Sequence, residues 1–548
     1  GLGATAAFAG ATVGLAIMLP WSVRTTCIGW LAVLILSSAY CAITAPRPLL
    51  PVRTQLAGMI VFGAAFLAAA AFVAAPSDPN NPVWAPGTSG PGRVDSPRWA
   101  GLPSDNTVSY RTGQVAFHKQ RGQLRDKFGD GWWVSDRTPL VGLAFAFSVG
   151  ALDAHIRSDN PAYSSGQAVA MRVKDPYAYW LYNLVAVLMA TALILGVFYL
   201  ALVWRGNAQV ATVAALVAAL APGLFLNEIY TWPKAAPAYF VLAGMGLALR
   251  RRAFGAGALA GLAYLCHPSA AFWIPSVAIV LLSHVTAARL RALARFVLAL
   301  IVVLLPWQVF TSLYMHAFSR WLFWPLGAVV DTRTNLGRAL SEAWRQFVER
   351  GAAGNVWVRV ESTASSLFPT DLTAPGLANG MPHFLDAKVY WADAHGFSIW
   401  GMLGLVLFPA TILFMARRWP RHRRMLALIV VPYVIVAIAA AGFPDTWSSQ
   451  SAYPLVGLLA IFSAEMLLAV GLSTRWFLWA AIALELLTTA YVCEYNPFNA
   501  GVVTLAIFAV LGIGAHLALI AALGRAIGLG PRQLLPRRGR LATVTSTG

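Results

Sequence analysis

Acid is scarce in this chain: 21 Asp and Glu stand against 40 Lys and Arg in 548 residues. Cysteine is scarcer still. Cys27, Cys41, Cys266 and Cys493 each lie in or beside an apolar run, with no Cys-x-x-Cys pair among them. That spacing excludes a thiolate zinc site and a disulfide framework, and leaves them as small core side chains. Charge of either sign is low at 11%, while 58% of the residues are hydrophobic and 21 are Trp. Such a composition excludes a soluble or disordered chain and describes an integral membrane protein. No internal repeat is visible.

The formal net charge of +19 would suit nucleic acid, but its distribution excludes that partner. Most of the Arg sits in short clusters between apolar runs, where the positive-inside rule places it. Fourteen spans are expected, at about 5–21, 27–46, 56–75, 176–204, 208–226, 234–249, 253–266, 269–284, 296–316, 397–416, 425–441, 452–471, 476–493 and 500–524. A crossing needs about 20 apolar residues, and the chain is long enough for a dozen or more. The expected fold class is thus an all-α polytopic bundle. It divides into N-terminal spans (1–75), a first outer loop (76–175), central spans (176–316), a second outer loop (317–396), C-terminal spans (397–524) and a basic tail (525–548). No basic stretch or small-residue cleavage site precedes the first apolar run, so that run is expected to stay as a span.

Orientation follows from the short connections. Arg47, Arg53, Arg205, Arg250–Arg252, Arg289, Arg291, Arg295, Arg417–Arg424, Arg475 and the tail from Arg525 to Arg540 fall on one side of this topology. The opposite short connections carry little beyond Arg24 and Lys234. Both termini are therefore expected in the cytoplasm of an inner or plasma membrane, with both long loops facing periplasm or cell exterior.

Two segments of the first loop read as helices. Residues 106–128 show an amphipathic pattern with Val108, Val115, Phe117, Leu124 and Phe128 apolar. Residues 139–154 are apolar but short for a crossing, with Thr138 as N-cap and Pro139 as first helical residue. Both are expected to lie along the outer membrane surface, with Trp132 and Trp133 between them as an interfacial anchor. A further helix is expected at 336–350 in the second loop.

The same loop concentrates the scarce acid: Asp78, Asp95, Asp105, Asp126, Asp130, Asp136, Asp153, Asp159 and Asp175 all fall between Pro76 and Asp175. A loop that carries so much of the carboxylate is the expected place of function. The topology gathers Asp105, Asp136 and Arg137 with Glu228, Lys234, His267 and Asp445 at outer span ends. An acid beside several cations at a membrane surface suits transfer from a lipid-linked phosphate. The carboxylate takes the acceptor hydroxyl's proton, and Lys, Arg and His neutralise the leaving phosphate.

Each residue also has a structural reading. Asp105 can N-cap the helix starting at Asn106, Asp136 can pair with Arg137, and Lys234 can snorkel from a span end. His267, before Pro268, can cap a helix break, and Glu228 and Asp445 can be purely structural.

Asp105-Asn106-x-x-x-Tyr110, opening a long outer loop after an early span, resembles the first loop of GT-C membrane glycosyltransferases. That superfamily includes protein O-mannosyltransferases, oligosaccharyl transferases, lipid A aminoarabinose transferases and mycobacterial arabinosyltransferases. Trp232-Pro233-Lys234 and the later Gly-Leu-Ala-Tyr-Leu-Cys-His267-Pro268 also resemble bacterial members, so the likeness covers mainly 100–285. The resemblance implies a loop-one Asp as catalytic base (Asp105, with Asp136 as second candidate) and a polyprenyl-phosphate sugar as donor. Arg137, Lys234 and His267 would then bind the donor phosphate, and Tyr110, Glu228, Trp232 and Asp445 the substrates. The acceptor would be a glycan, lipid or protein. The chain has no Asp-x-Asp, so neither a metal nor another cofactor is expected.

Two alternatives stay open. A transporter or flippase for lipid-linked glycans would place charge mid-span, often in matched halves; here Glu465 and Glu485 are the main span acids. An oligosaccharide ligase or polymerase would use a large late loop, and 319–396 carries Arg320, Arg333, Arg338, Arg345, Arg350 and His383.

Overall fold

The computed structural model describes residues 52–74, 106–118, 127–128, 132–133, 138–152, 176–221, 224, 234–285, 288–311, 323, 326–328, 330, 336–367, 411, 414–415, 419–440 and 451–469, with Thr25, Ala32 and Leu36 singly. These residues form helices α1 (Val52–Ala74), α2 (Asn106–His118), α3 (Leu140–Ala151), α4 (Pro176–Arg205), α5 (Ala208–Ala219), α6 (Ala236–Leu249) and α7 (Ala253–Cys266). A 3-10 turn (Pro268–Trp273) leads to α8 (Ile274–His284), followed by α9 (Arg289–Phe310), α10 (Leu336–Leu367), α11 (Trp419–Ala440) and α12 (Tyr453–Ala469). A two-residue antiparallel pair, Lys127–Phe128 with Trp132–Trp133, is the one departure from helix among the regular elements described. The protein is all-helical in class.

Short turns make hairpins of sequential helices. Between α4 and α5, Gly206 takes a positive φ of 63°, and the Asn207 carboxamide oxygen accepts from the Gln209 and Val210 amides at 2.8 and 3.3 Å. That cap satisfies two of the amides a helix start leaves unbonded. Between α6 and α7 the turn is Arg250–Arg252, closed by the Arg252 amide donating to the Leu247 carbonyl at 2.9 Å.

Neighbouring contacts fix the helix directions. Gly196 of α4 faces Tyr239 and Leu242 of α6, and Gly246 faces Tyr199, so α4 and α6 run parallel. Gly257 of α7 abuts the Phe296 backbone of α9 and Gly261 faces Val303, so these two are parallel as well. On α8, Trp273 stacks on Tyr433 of α11 with centroids 4.0 Å apart, while Ser276 Oγ donates to the Ile429 carbonyl at 2.8 Å, which makes that pair antiparallel. Arg205 forms a salt bridge with Glu465, joining the ends of α4 and α12.

These directions sort the polar residues. One end of the bundle holds Arg205, the Arg250–Arg252 turn and the start of α9 with Arg289, Arg291 and Arg295. The opposite end holds the start of α4, Lys234, His267 and the end of α9. Among the described residues, Trp180–Arg205 and Arg289–Phe310 are long and apolar enough to cross a membrane, and eight further apolar helices are shorter. The first is largely enclosed by other helices. The second bares Leu298, Ile301, Val302, Leu305 and Val309.

Several boundaries differ from the sequence expectation. Of the helix expected at 106–128, Asn106–His118 is helical, while Phe128 belongs to the strand pair with Trp132 and Trp133. The polar side of α2 does not face water: Ser109, Arg111, Thr112 and Gln114 are all buried along with Val108 and Val115. Helix α3 starts at Leu140 with no side-chain cap, so the Thr138 hydroxyl does not serve it. It is also enclosed, packed on α2, α4 and α7. Its sequence is apolar on every side, which suits a helix covered all round better than one lying on an interface. Within the span expected at 208–226 the helix Ala208–Ala219 ends at a C-cap, Leu220, with Leu224 helical again beyond it, and the span expected at 296–316 is the helix Arg289–Phe310. The second-loop helix continues past 350 to Leu367 across a break at Gly351.

Candidate functional site

At the end opposite the arginine clusters, α4 projects past the start of α6. Its register on α6 sets Gly196 against Tyr239, so the turns before about Ala190 stand beyond the start of α6 by roughly 20 Å at 1.5 Å per residue. Helices α2 and α3 pack on this projection. Tyr110, Phe145 and Tyr182 form an aromatic triad with centroids 5.5, 5.5 and 5.8 Å apart, one ring from each helix. Edge-to-face rings at these separations attract beyond the area they bury. The Tyr110 hydroxyl accepts from Gln114 Nε2 at 2.8 Å, one turn on.

The backbones of α2 and α3 cross almost in contact. A methyl on Gly142 would sit on the Ser109 carbonyl and 2.9 Å from the Gly113 nitrogen; one on Gly113 would meet the Gly142 carbonyl and the Phe145 ring. Two glycines at the crossing let the helices touch, and this seats Arg111 among the largest fully buried side chains. Sequence reasoning missed Arg111, because its place in an amphipathic pattern assigned it to water.

Below this cap lie Lys234 and His267. Lys234 stands two residues before α6, which carries Pro237 in its first turn, and it is 3% exposed. His267 directly follows α7 and is fully buried. The antiparallel α6–α7 hairpin sets both at one end. Pro268 ends α7, and His267, in extended conformation, caps the 3-10 turn: its Nδ1 accepts from the Ser269 amide at 3.3 Å and lies 2.8 Å from Ser269 Oγ. Accepting at Nδ1 puts the neutral ring's proton on Nε2. The next turn is tied down by Trp273 Nε1, which donates to the Ser451 carbonyl at 2.6 Å, while Ser451 Oγ meets the Tyr433 hydroxyl at 2.9 Å.

Of the expected site residues, Tyr110, Lys234 and His267 are therefore described, all buried at one end of the bundle. Asp105, Asp136, Arg137, Glu228, Trp232 and Asp445 lie outside the described residues. Asp105 immediately precedes Asn106, the first residue of α2. Tyr110 sits in a packed aromatic core, and His267 has the capping role weighed for it. Of the described carboxylates, Glu465 pairs with Arg205 at the arginine end, and Glu342 and Glu349 pair with Arg345 on α10. Among the described residues no group of His, Cys, Asp and Glu could hold a metal ion. Chemically, this end of the bundle offers buried cationic and imidazole groups suited to an anionic ligand.

No protein-family model matches the chain, and no curated protein matches it.

Proposed function

We propose that the chain is a polytopic membrane glycosyltransferase of the GT-C kind, moving a sugar from a polyprenyl-phosphate donor to an extracytoplasmic glycan, lipid or protein. In this reading the bundle has about fourteen spans, the arginine end faces the cytoplasm, and chemistry occurs at the other end. The observation that carries it is the burial of Arg111, Lys234 and His267 at the bundle end opposite the arginine clusters. Buried cationic and imidazole groups at a membrane surface suit an anionic head group, and a lipid-linked phosphate is an anion that reaches such a place.

The acceptor hydroxyl oxygen attacks the anomeric carbon, and the bond from that carbon to the phosphate oxygen breaks. The phosphate keeps the electron pair; Lys234, Arg137 and Arg111 neutralise it, and the His267 ring donates a hydrogen bond to it. The hydroxyl proton goes to Asp105, whose anionic form is favoured by the amino end of α2. Asp136 is the competing base. Tyr110 supports the α2 backbone from the aromatic triad, and Glu228, Trp232 and Asp445 serve substrate binding.

The test is turnover of purified full chain in lipid nanodiscs with polyprenyl-phosphate sugars. Asp105→Asn keeps shape and capping ability but loses the charge. It is expected to bind donor and to lose roughly 10²- to 10⁴-fold in turnover. Full activity in Asp105→Asn, with loss in Asp136→Asn, would move the base to Asp136. Activity retained in both would end the reading.

A further inference from the structure

Helix α10 carries two apolar sides, and only one is covered. Ala339 and Ala343 are buried against Phe323, Ala328 and Val330. Leu336, Leu340, Trp344 and Val348, at successive intervals of four, are 45–58% exposed. The remaining side is charged: Arg345 donates to Glu342 at 2.6 and 3.0 Å and to Glu349 at 2.7 Å. Hydrogen bonds from Arg345 and then Gln346 lower the Glu342 carboxyl to about 2.

Gly351, with φ 72° and ψ 169°, breaks the helix, and the break is braced. Asn355 Nδ2 donates to the Phe347 and Gly351 carbonyls at 2.7 and 2.8 Å, and Arg350 reaches the Gly327 carbonyl at 2.6 Å. Beyond the break Val356, Trp357 and Val360 are again exposed. Arg359 Nη2 lies 3.5 Å from the Ala439 carbonyl, which fixes this second half at the last turn of α11. Helix α11 itself bares Val431, Val434, Ile435 and Ile438. The second half of α10 thus meets the last turn of a bundle helix that has bare apolar residues of its own, at the end where Lys234 and His267 lie.

We propose that α10 is seated in the outer leaflet of the bilayer, its Leu336–Val348 and Val356–Val360 stripes in the headgroup–acyl boundary and its Glu342–Arg345–Glu349 side in water. The occupant is phospholipid. A helix on this boundary immerses its apolar side by roughly 5–10 Å, and Trp344 and Trp357 are the residue type that anchors there. The braced break lets two short stripes lie on one plane while α11 descends through it. This rests on the membrane reading above.

The test uses full chain in phosphatidylcholine–phosphatidylglycerol nanodiscs, with Cys27, Cys41, Cys266 and Cys493 replaced by Ala. Single nitroxides are introduced by Leu340→Cys, Val348→Cys and Val356→Cys on the bare side, by Arg338→Cys and Glu349→Cys on the charged side, and by Ile301→Cys on α9. Relaxation by oxygen, which concentrates in lipid, is compared with relaxation by a water-soluble nickel chelate. Expected is oxygen-dominated relaxation at 340, 348 and 356, at a depth of roughly 5–10 Å, with nickel dominating at 338 and 349. Nickel dominating at 340, 348 and 356 while oxygen dominates at 301 would overturn the seating and leave the membrane reading standing. Protection of the three from both reagents would mean protein covers them, and overturns it too. Nickel dominating at 301 as well would remove both readings.

Discussion

At the scale of single residues, His267 separates a structural role from a chemical one. Its Nδ1 accepts from the Ser269 amide, so the ring is engaged as a cap. Asn can accept the same hydrogen bond and is among the best N-cap residues, whereas Ala cannot. His267→Ala is expected to cost ~1 kcal/mol in unfolding stability, and His267→Asn only a few tenths. Donor affinity behaves differently if the imidazole also serves the phosphate. Losing a hydrogen bond to a charged group costs about 1.5–3 kcal/mol, more than tenfold in Kd. Both variants are then expected to bind polyprenyl phosphate more than tenfold more weakly, measured by titration in nanodiscs. Unchanged binding in His267→Asn would leave the residue as a cap alone. His-Pro was readable as a helix break because Pro268 lacks the amide that α7 needs to continue.

At the scale of elements, the crossing of α2 and α3 decides what the first loop is. A helix resting on the membrane surface tolerates Gly142→Ala, and even gains from it, since Ala is the better helix former. A helix crossing another at backbone contact does not. The added methyl would meet the Ser109 carbonyl and the Gly113 nitrogen, which cannot move aside as a flexible side chain can. Overpacking of this kind costs typically about 1–3 kcal/mol, so Gly142→Ala is expected to lower the thermal midpoint of the solubilised protein. An unchanged or raised midpoint would return α3 to the interface. The start of α2 at Asn106 was legible from Asp105-Asn106, a capping sequence. Its burial was not, because Ser109, Arg111 and Gln114 look like a wet side until a second helix covers them. Similarly, Arg289, Arg291 and Arg295 read as loop by hydropathy. Arg is a good helix former, and these side chains reach water from the first turns of α9. Gly351 read as an end because nothing local announces that Asn355 spans the break.

At the scale of the molecule, α7 at 253–266 and the body of α4 were legible because long apolar runs between arginine clusters have few alternatives. The packing partners were not, since hydropathy gives length and sidedness but no neighbour. The structure adds helix direction, and with it a sharper topology test. The Arg250–Arg252 turn lies at one end of the bundle, while α10 is held at the other through Arg359 and Ala439. If the proposed topology holds, Arg251 faces the cytoplasm and Ser341 the exterior. Both positions are exposed, so neither substitution disturbs packing. In whole cells carrying the cysteine-free chain, an impermeant maleimide is expected to label Ser341→Cys at once and Arg251→Cys only after permeabilisation. The reverse pattern would invert the topology and move the candidate site to the cytoplasm, where the acceptors proposed here are absent. Labelling of both from outside would mean that the two ends are not separated by a bilayer. Each result is decisive because helix direction already sets the two residues at opposite ends, so the labelling asks only what lies between them.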